Sequence, residues 1–283
     1  MALVMLSALF GAVLFVFFKL FDRRKVPLLP AIVVNYLVAF LFGLVYSKPW
    51  AAGDISLLWM PSALQGGLFI LLFQLIGLAS QRIGISPTTV ASKMSLALTV
   101  LITVLIFREQ PSALAWSGIA LAVLGVTFSS WGGGTRGAKG WWLLPVIFFA
   151  SAISDVLINA AQRTRVTPMT EAVFPTMIFG FAALFGLGWL VFRTDRGALL
   201  HPRTWFWGAL LGGVNYGSIY FLVLALSRGG LQASIVFPLA NVGVILIGTA
   251  ASVVLFKERL HLVHWVGIAL SIVALCLIIS APA

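Results

Sequence analysis

Phe107-Arg108-Glu109-Gln110-Pro111-Ser112-Ala113-Leu114-Ala115-Trp116-Ser117-Gly118-Ile119-Ala120-Leu121 and Phe256-Lys257-Glu258-Arg259-Leu260-His261-Leu262-Val263-His264-Trp265-Val266-Gly267-Ile268-Ala269-Leu270 are two copies of one stretch. Seven of the fifteen positions are identical, and Arg108/Lys257 is a conservative pair. Each copy reads the same way: an apolar helix ends, a short charged turn follows, and a second apolar helix begins at a Trp. A match of this length within one chain argues for duplication.

What was duplicated follows from composition. Of 283 residues, 61% are hydrophobic and 9% are charged, against about 25% charged in a soluble domain. The apolar residues fall in runs of about 20, and such a run at ~1.5 Å rise per residue crosses a hydrocarbon core of ~30 Å. The expected fold is therefore an all-α polytopic membrane protein. A barrel would show short alternating segments instead. Spans are predicted over residues 1–21, 27–46, 62–81, 86–107, 113–131, 141–163, 170–192, 203–227, 231–256 and 262–280. The first could pass for a signal peptide, but no basic residues precede it and no small-residue cleavage site follows.

Several functional classes fall away. The net charge of +11 comes from Lys and Arg at helix ends rather than from a dense patch. It reads as topology and headgroup contact, not nucleic-acid binding. A lone Cys276 excludes an internal disulfide. His201, His261 and His264 sit at or near helix starts and have no metal-site spacing. Gly132 to Gly140 is Gly-rich and includes Lys139, but lacks the Gly-Lys-Ser/Thr order of a phosphate loop and reads as a linker. With no nucleophile–base pair, metal spacing or ATP motif, neither catalysis nor a cofactor is expected, and transport would run on a gradient or exchange.

The repeat places spans four and five against nine and ten. Arg24-Lys25-Val26-Pro27 against Arg163-Thr164-Arg165-Val166-Thr167-Pro168 relates spans one and two more faintly to six and seven. Two units follow, residues 1–131 and 141–283, joined by the linker 132–140. Each holds five spans. An odd number sends the second unit into the membrane from the opposite side, which makes a ten-helix, 5+5 inverted repeat.

Two such halves, each with a Phe-Arg/Lys-Glu turn and then Trp-x-Gly-Ile-Ala-Leu, resemble the drug/metabolite transporter superfamily, and within it the EamA type. The resemblance covers essentially the whole chain and is strongest over 84–130 and 230–279. It implies a secondary transporter or exporter of amino acids, other metabolites or drugs in a bacterial inner membrane, with the substrate in a central cavity between the halves. Where many relatives carry an Arg in span two, this chain has Asn35-Tyr36, so no substrate is carried over. Glu109 and Glu258 are read as helix-end residues rather than ligands.

Polar residues within spans are costly and usually face a protein interior or a water-filled cavity. Thr88, Ser92, Ser95, Thr99 and Thr103 recur every three or four residues on one face of span four, a pattern that also suits close helix packing. Lys93 lies beside them, about two turns into the span. Ser151, Asp155, Asn159 and Gln162 form a second stripe in span six. Lys93 and Asp155 are the deepest charges, which suggests that they pair directly or through a substrate. Asn35 and Tyr36, Gln74 and Gln81, Asn215, Tyr216 and Tyr220, and Ser234 and Asn241 with Pro238 between them complete the candidates. Glu171 reads as a helix-start residue.

With the N-terminus inside, the inner loops would hold five basic residues and the outer loops twelve. The positive-inside rule therefore favours both termini outside, whereas the resemblance implies both inside. The leading expectation is a secondary transporter, expected to export, of a small metabolite such as an amino acid. Its partners would be the small-molecule substrate, the lipid bilayer and a coupling proton or cation, in a monomer or homodimer. A multidrug exporter and a non-transporting membrane subunit are the alternatives.

Overall fold

The computed structural model describes residues 2–99, 102, 112–130, 140–228 and 233–280, and these contain no strand. The helices are α1 (Ala2–Arg23), α2 (Leu28–Ser47), α3 (Trp59–Arg82), α4 (Ile85–Lys93), α5 (Ala113–Ser130), α6 (Leu143–Thr164), α7 (Val173–Val191), α8 (Pro202–Arg228), α9 (Ala233–Phe256) and α10 (Leu262–Ser280). Among the described residues, six helices are long and apolar enough to cross a membrane, including α1, α6 and α7. The chain is an integral, multi-pass membrane protein. Residues 107–111, the linker residues before Gly140, Gly229, Gly230 and Thr103 lie outside the described residues, as do the side chains of Ser234 and Pro238.

Proline marks where helices begin. Pro30, Pro61, Pro87, Pro145 and Pro175 are each the third residue of their helix, and Pro202 is the first residue of α8. The first-turn N–H groups have no partner within a helix, so a proline there loses no hydrogen bond and its fixed φ suits the turn. Helix ends use lysine: Lys25, Lys48 and Lys257 have φ of 53°, 43° and 55°. After α1, Val26 N–H donates to Phe21 O at 2.8 Å and Lys25 N–H to Asp22 O at 3.1 Å. This is the paired bonding of a left-handed helix stop, and each cation faces the negative end of its helix dipole.

The chain forms two compact units. One comprises residues 1–19, 76–153 and 218–283, and the other residues 20–75 and 154–217. Each draws on sequence from both sides of the linker. In the first unit α5 packs on α10, where a Cβ on Gly125 would sit 2.4 Å from Ser271 Oγ, so only glycine permits the approach. There too α4 packs on α9, joined by a 3.0 Å hydrogen bond between the Ser86 and Thr249 hydroxyls. Val90, Met94, Ala97, Phe148, Ile245 and Ile268 form its apolar centre. In the second unit α2 packs on α7 through Ser47 and Thr176, 3.1 Å apart, and Leu58, Ala161, Val173, Phe174 and Ile178 form the centre.

Helix continues past α4. Met94 is a single turn residue between α4 and the helical residues 95–99; its backbone stays helical, with φ −76° and ψ −9°, and its N–H still bonds Val90 O at 2.9 Å. Ser95 Oγ donates to Ser92 O at 2.7 Å, and Ala97 N–H bonds back three residues, to Met94 O at 3.1 Å, so the helix tightens locally without parting. Residues 100, 101 and 103–107 of the predicted span lie outside the described residues.

Candidate functional site

In the first unit the polar stripe of α4 is largely buried: Thr88, Ser95 and Thr99 are buried, and Ser92 and Lys93 half-buried. The hydroxyls turn to their own helix. Thr88 donates to Gly84 O at 2.7 Å, Thr89 to Ile85 O at 2.8 Å and Thr99 to Ser95 O at 3.0 Å. This satisfies each donor without a second helix. Of the predicted stripe, Thr88, Ser95 and Thr99 have their hydroxyls turned to backbone, and Thr103 lies outside the described residues. Asn241 of α9 and Tyr220 of α8 are half-buried in the same unit.

The start of α4 is bound differently. Gly84 has φ 130° and ψ 164°, a region open in practice only to glycine. A Cβ there would lie 2.8 Å from Glu258 Oε2. Glu258 follows α9 and accepts the Ile85 N–H through both carboxylate oxygens, at 3.2 and 3.1 Å, so a carboxylate meets the positive end of the α4 dipole. Lys19 Nζ lies 3.5 Å from Glu258 Oε1 and donates to Gln81 O at 3.1 Å, while Gln81 Nε2 donates to Phe18 O at 3.1 Å. Burial pushes the Glu258 carboxyl above its ordinary value, with Lys19 and the Ile85 N–H partly offsetting the shift. Glu258 is engaged as a helix cap.

In the second unit carboxamides bridge helices. Asn215 Nδ2 of α8 donates to Asn35 Oδ1 of α2 at 3.1 Å, and Asn35 Nδ2 reaches Ile32 O at 3.4 Å. Both residues are buried. The fully buried Tyr36 donates its hydroxyl to Phe69 O at 3.0 Å and packs between Phe73 and Phe179, with ring centroids at 5.2 and 6.1 Å. Tyr216 stacks near Phe42 at 5.9 Å. Asp155 and Asn159 are half-buried on α6. The structure therefore joins Asn35 to Asn215, residues 180 positions apart.

Sequence reasoning missed a third group here. Gln65 Nε2 of α3 donates to Ser154 Oγ, the neighbour of Asp155 in the chain. Gln65 Oε1, Ser62 Oγ and Gln74 Oε1 are buried with no hydrogen-bond partner among the described residues. An unpaired buried polar atom costs about 1–3 kcal/mol, so three on one helix need a reason. The signal was available: Ser62 and Gln65 are three residues apart in an apolar span, on one helix face.

The described residues thus hold buried amides, buried acceptors without a partner among them, and a half-buried Lys93. The chain is similar to a protein of Haemophilus influenzae described as uncharacterized, at 25% identity over 271 residues, 92% of this chain and 91% of that protein. A solved crystal structure is similar in fold, with a TM-score of 0.58 at 17% identity over 96% of this chain and 97% of that one. The family model of the EamA-like transporter family, part of the drug/metabolite transporter superfamily, matches residues 138–280, about half of the chain. This protein belongs to the EamA-like transporter family, as a multi-pass membrane transporter.

Proposed function

We propose that the protein is a secondary transporter that exports a small polar or amphipathic metabolite, such as an amino acid, from a bacterium through its inner membrane. The observation that carries this reading is the half-buried Lys93 beside the buried Ser95 and Thr99 in a membrane-embedded segment. Charged and polar side chains at membrane depth usually face a protein interior or a water-filled cavity and mark solute or ion pathways. In this reading Lys93 holds an anionic group of the substrate, such as a carboxylate, beside Ser92, Ser95 and Thr99. Asp155, with Asn159, carries a coupling proton. The unpaired oxygens of Ser62, Gln65 and Gln74 are acceptors for the donors of a polar solute. Tyr220 and Asn241 in the one unit, and Asn35, Tyr36, Asn215 and Tyr216 in the other, are further candidates for substrate contact.

The same reading takes the chain as a 5+5 inverted repeat of residues 1–131 and 141–283, moving by alternating access. The packing pairs α2–α7, α4–α9 and α5–α10 support it, because each joins a span to the one five places later. Helices related by an internal two-fold meet in this way near its axis.

The test is flux in proteoliposomes, after metabolite profiling of cells with and without the gene has named the substrate. Lys93→Ala and Asp155→Asn are expected to abolish transport while melting temperature and membrane yield stay unchanged. Normal flux in both variants overturns the assignment of these residues, and absence of any gene-dependent solute overturns the transport of a metabolite.

A further inference from the structure

We propose that the protein carries a binding groove for an anionic phospholipid at the C-terminal end of α7. Leu184, Leu187, Gly188, Val191 and Leu199 wall a cavity of about 410 Å³, and Arg196 is the charged residue among its described lining. The size lies within the range of small-ligand sites. Leu184 and Val191 are about 60% exposed, so the groove opens sideways.

Depth in the bilayer indicates the occupant. α7 has 19 residues, which at ~1.5 Å per residue is about 28 Å, close to the ~30 Å hydrocarbon thickness. Val191, its last residue, is therefore at the boundary between acyl chains and headgroups. Leu184, Leu187 and Gly188 fall in the last two turns, at the depth of acyl chains. Arg196 follows five residues later, at the depth of phosphates, within a 3-10 segment, Thr194–Leu200. This vertical order of apolar wall and then guanidinium matches a phospholipid, a chain below and an anion above. A guanidinium suits phosphate because its planar donors can bond two oxygens at once.

Two local features keep the groove formed. Trp205 Nε1 donates to Leu199 O at 2.8 Å, which ties the 3-10 segment to the start of α8. Arg196 Nη1 reaches Val191 O at 3.5 Å, long for a hydrogen bond, so a phosphate would compete easily for the group. Gly188 makes the room: a Cβ there meets nothing within 4 Å.

That open space supplies a probe, since a Cβ at Gly188 meets nothing within 4 Å and Gly188→Leu places a side chain at the groove wall. Native mass spectrometry of the full chain, released from vesicles of equal phosphatidylglycerol and phosphatidylcholine, reads the retained lipid. The wild type is expected to retain phosphatidylglycerol preferentially. Arg196→Ala is expected to lower that preference about tenfold, and Gly188→Leu to lower retention of both lipids. Arg203→Ala is expected to change neither; Arg203 starts α8, outside the groove, and donates to Arg24 O. Equal retention of the two lipids by the wild type overturns the proposal. So does an Arg203→Ala loss as large as that of Arg196→Ala, which would show diffuse surface charge rather than a site. Should Gly188→Leu fail to fold, the two arginine variants decide alone.

Discussion

The hydroxyls of α4 and the carboxamides of α2, α3 and α8 face the same problem, a polar group at membrane depth, and solve it differently. Thr88, Thr89 and Thr99 bond to carbonyls of their own helix. A short side chain reaches back one turn, so the bond asks nothing of neighbouring helices. Asn35, Asn215 and Gln65 carry more polar atoms than one bond back along the helix can satisfy. Asn35 Nδ2 reaches Ile32 O on its own helix, but the Asn215–Asn35 and Gln65–Ser154 bonds cross to other helices, and Gln65 Oε1 has no partner among the described residues. Threonine hydroxyls satisfied by their own backbone leave neighbouring helices unconstrained, while buried amides pair across helices and fix their positions.

The comparison is broken most forcibly at Gly84, where α4 depends on a distant residue after all. Gly84→Ala forces a side chain into a glycine-only conformation and against Glu258, and should cost about 3 kcal/mol, read as a lowered melting temperature in detergent. A cross-helix amide comes next. Asn215→Ala strands Asn35 Oδ1 in a buried position and should cost about 1–3 kcal/mol; a value indistinguishable from zero would mean that the bridge contributes nothing. Thr88→Val removes a donor whose acceptor, Gly84 O, remains within reach of the helix backbone. It should cost at most about 1 kcal/mol, and a larger loss would erase the distinction between local and bridging bonds.

The smallest effect is a slope. Because the folded-state pKa of Glu258 is raised, the folded protein holds this proton more tightly than the unfolded chain. The contribution is fully present at pH below the ordinary glutamate value and is lost as pH rises through the raised one. Stability relative to Glu258→Gln should therefore decline over that window, and a difference that grows with pH would show that Lys19 outweighs burial.

Much of this architecture was legible in the sequence. Apolar run lengths located six helices of membrane-crossing length among the described residues, because the bilayer imposes a length, and the repeated Phe-Arg/Lys-Glu turn is the basis of the proposed duplication. Periodicity also put Thr88, Ser95 and Thr99 on one buried face. The local tightening after Met94 was not visible, since no Gly or Pro marks it and it accompanies a serine hydroxyl bonding one turn back. Periodicity assigns a face but not a partner, so nothing in the spans named Asn215 for Asn35. Lys19 was read as a topology signal because a basic residue near a helix end has that default meaning; its carboxylate lies 239 positions away. Gln65 was passed over beside the more regular pair Gln74 and Gln81.

The cap on α4 has a consequence for how the chain is made. Ile85 N–H is satisfied by a side chain 173 residues further on. A ribosome adding about 5–20 residues per second therefore leaves the start of this helix incomplete for roughly ten to thirty seconds. During that interval α4 has neither Glu258 nor its neighbour α9, and its short first segment, nine residues long, must be held by the insertion machinery or remain at the membrane surface. Nascent chains arrested before residue 258 should leave an engineered cysteine in α4 open to a water-soluble maleimide, and chains arrested well beyond it should protect the same cysteine. The last loop of the protein would then be the event that commits its fourth helix.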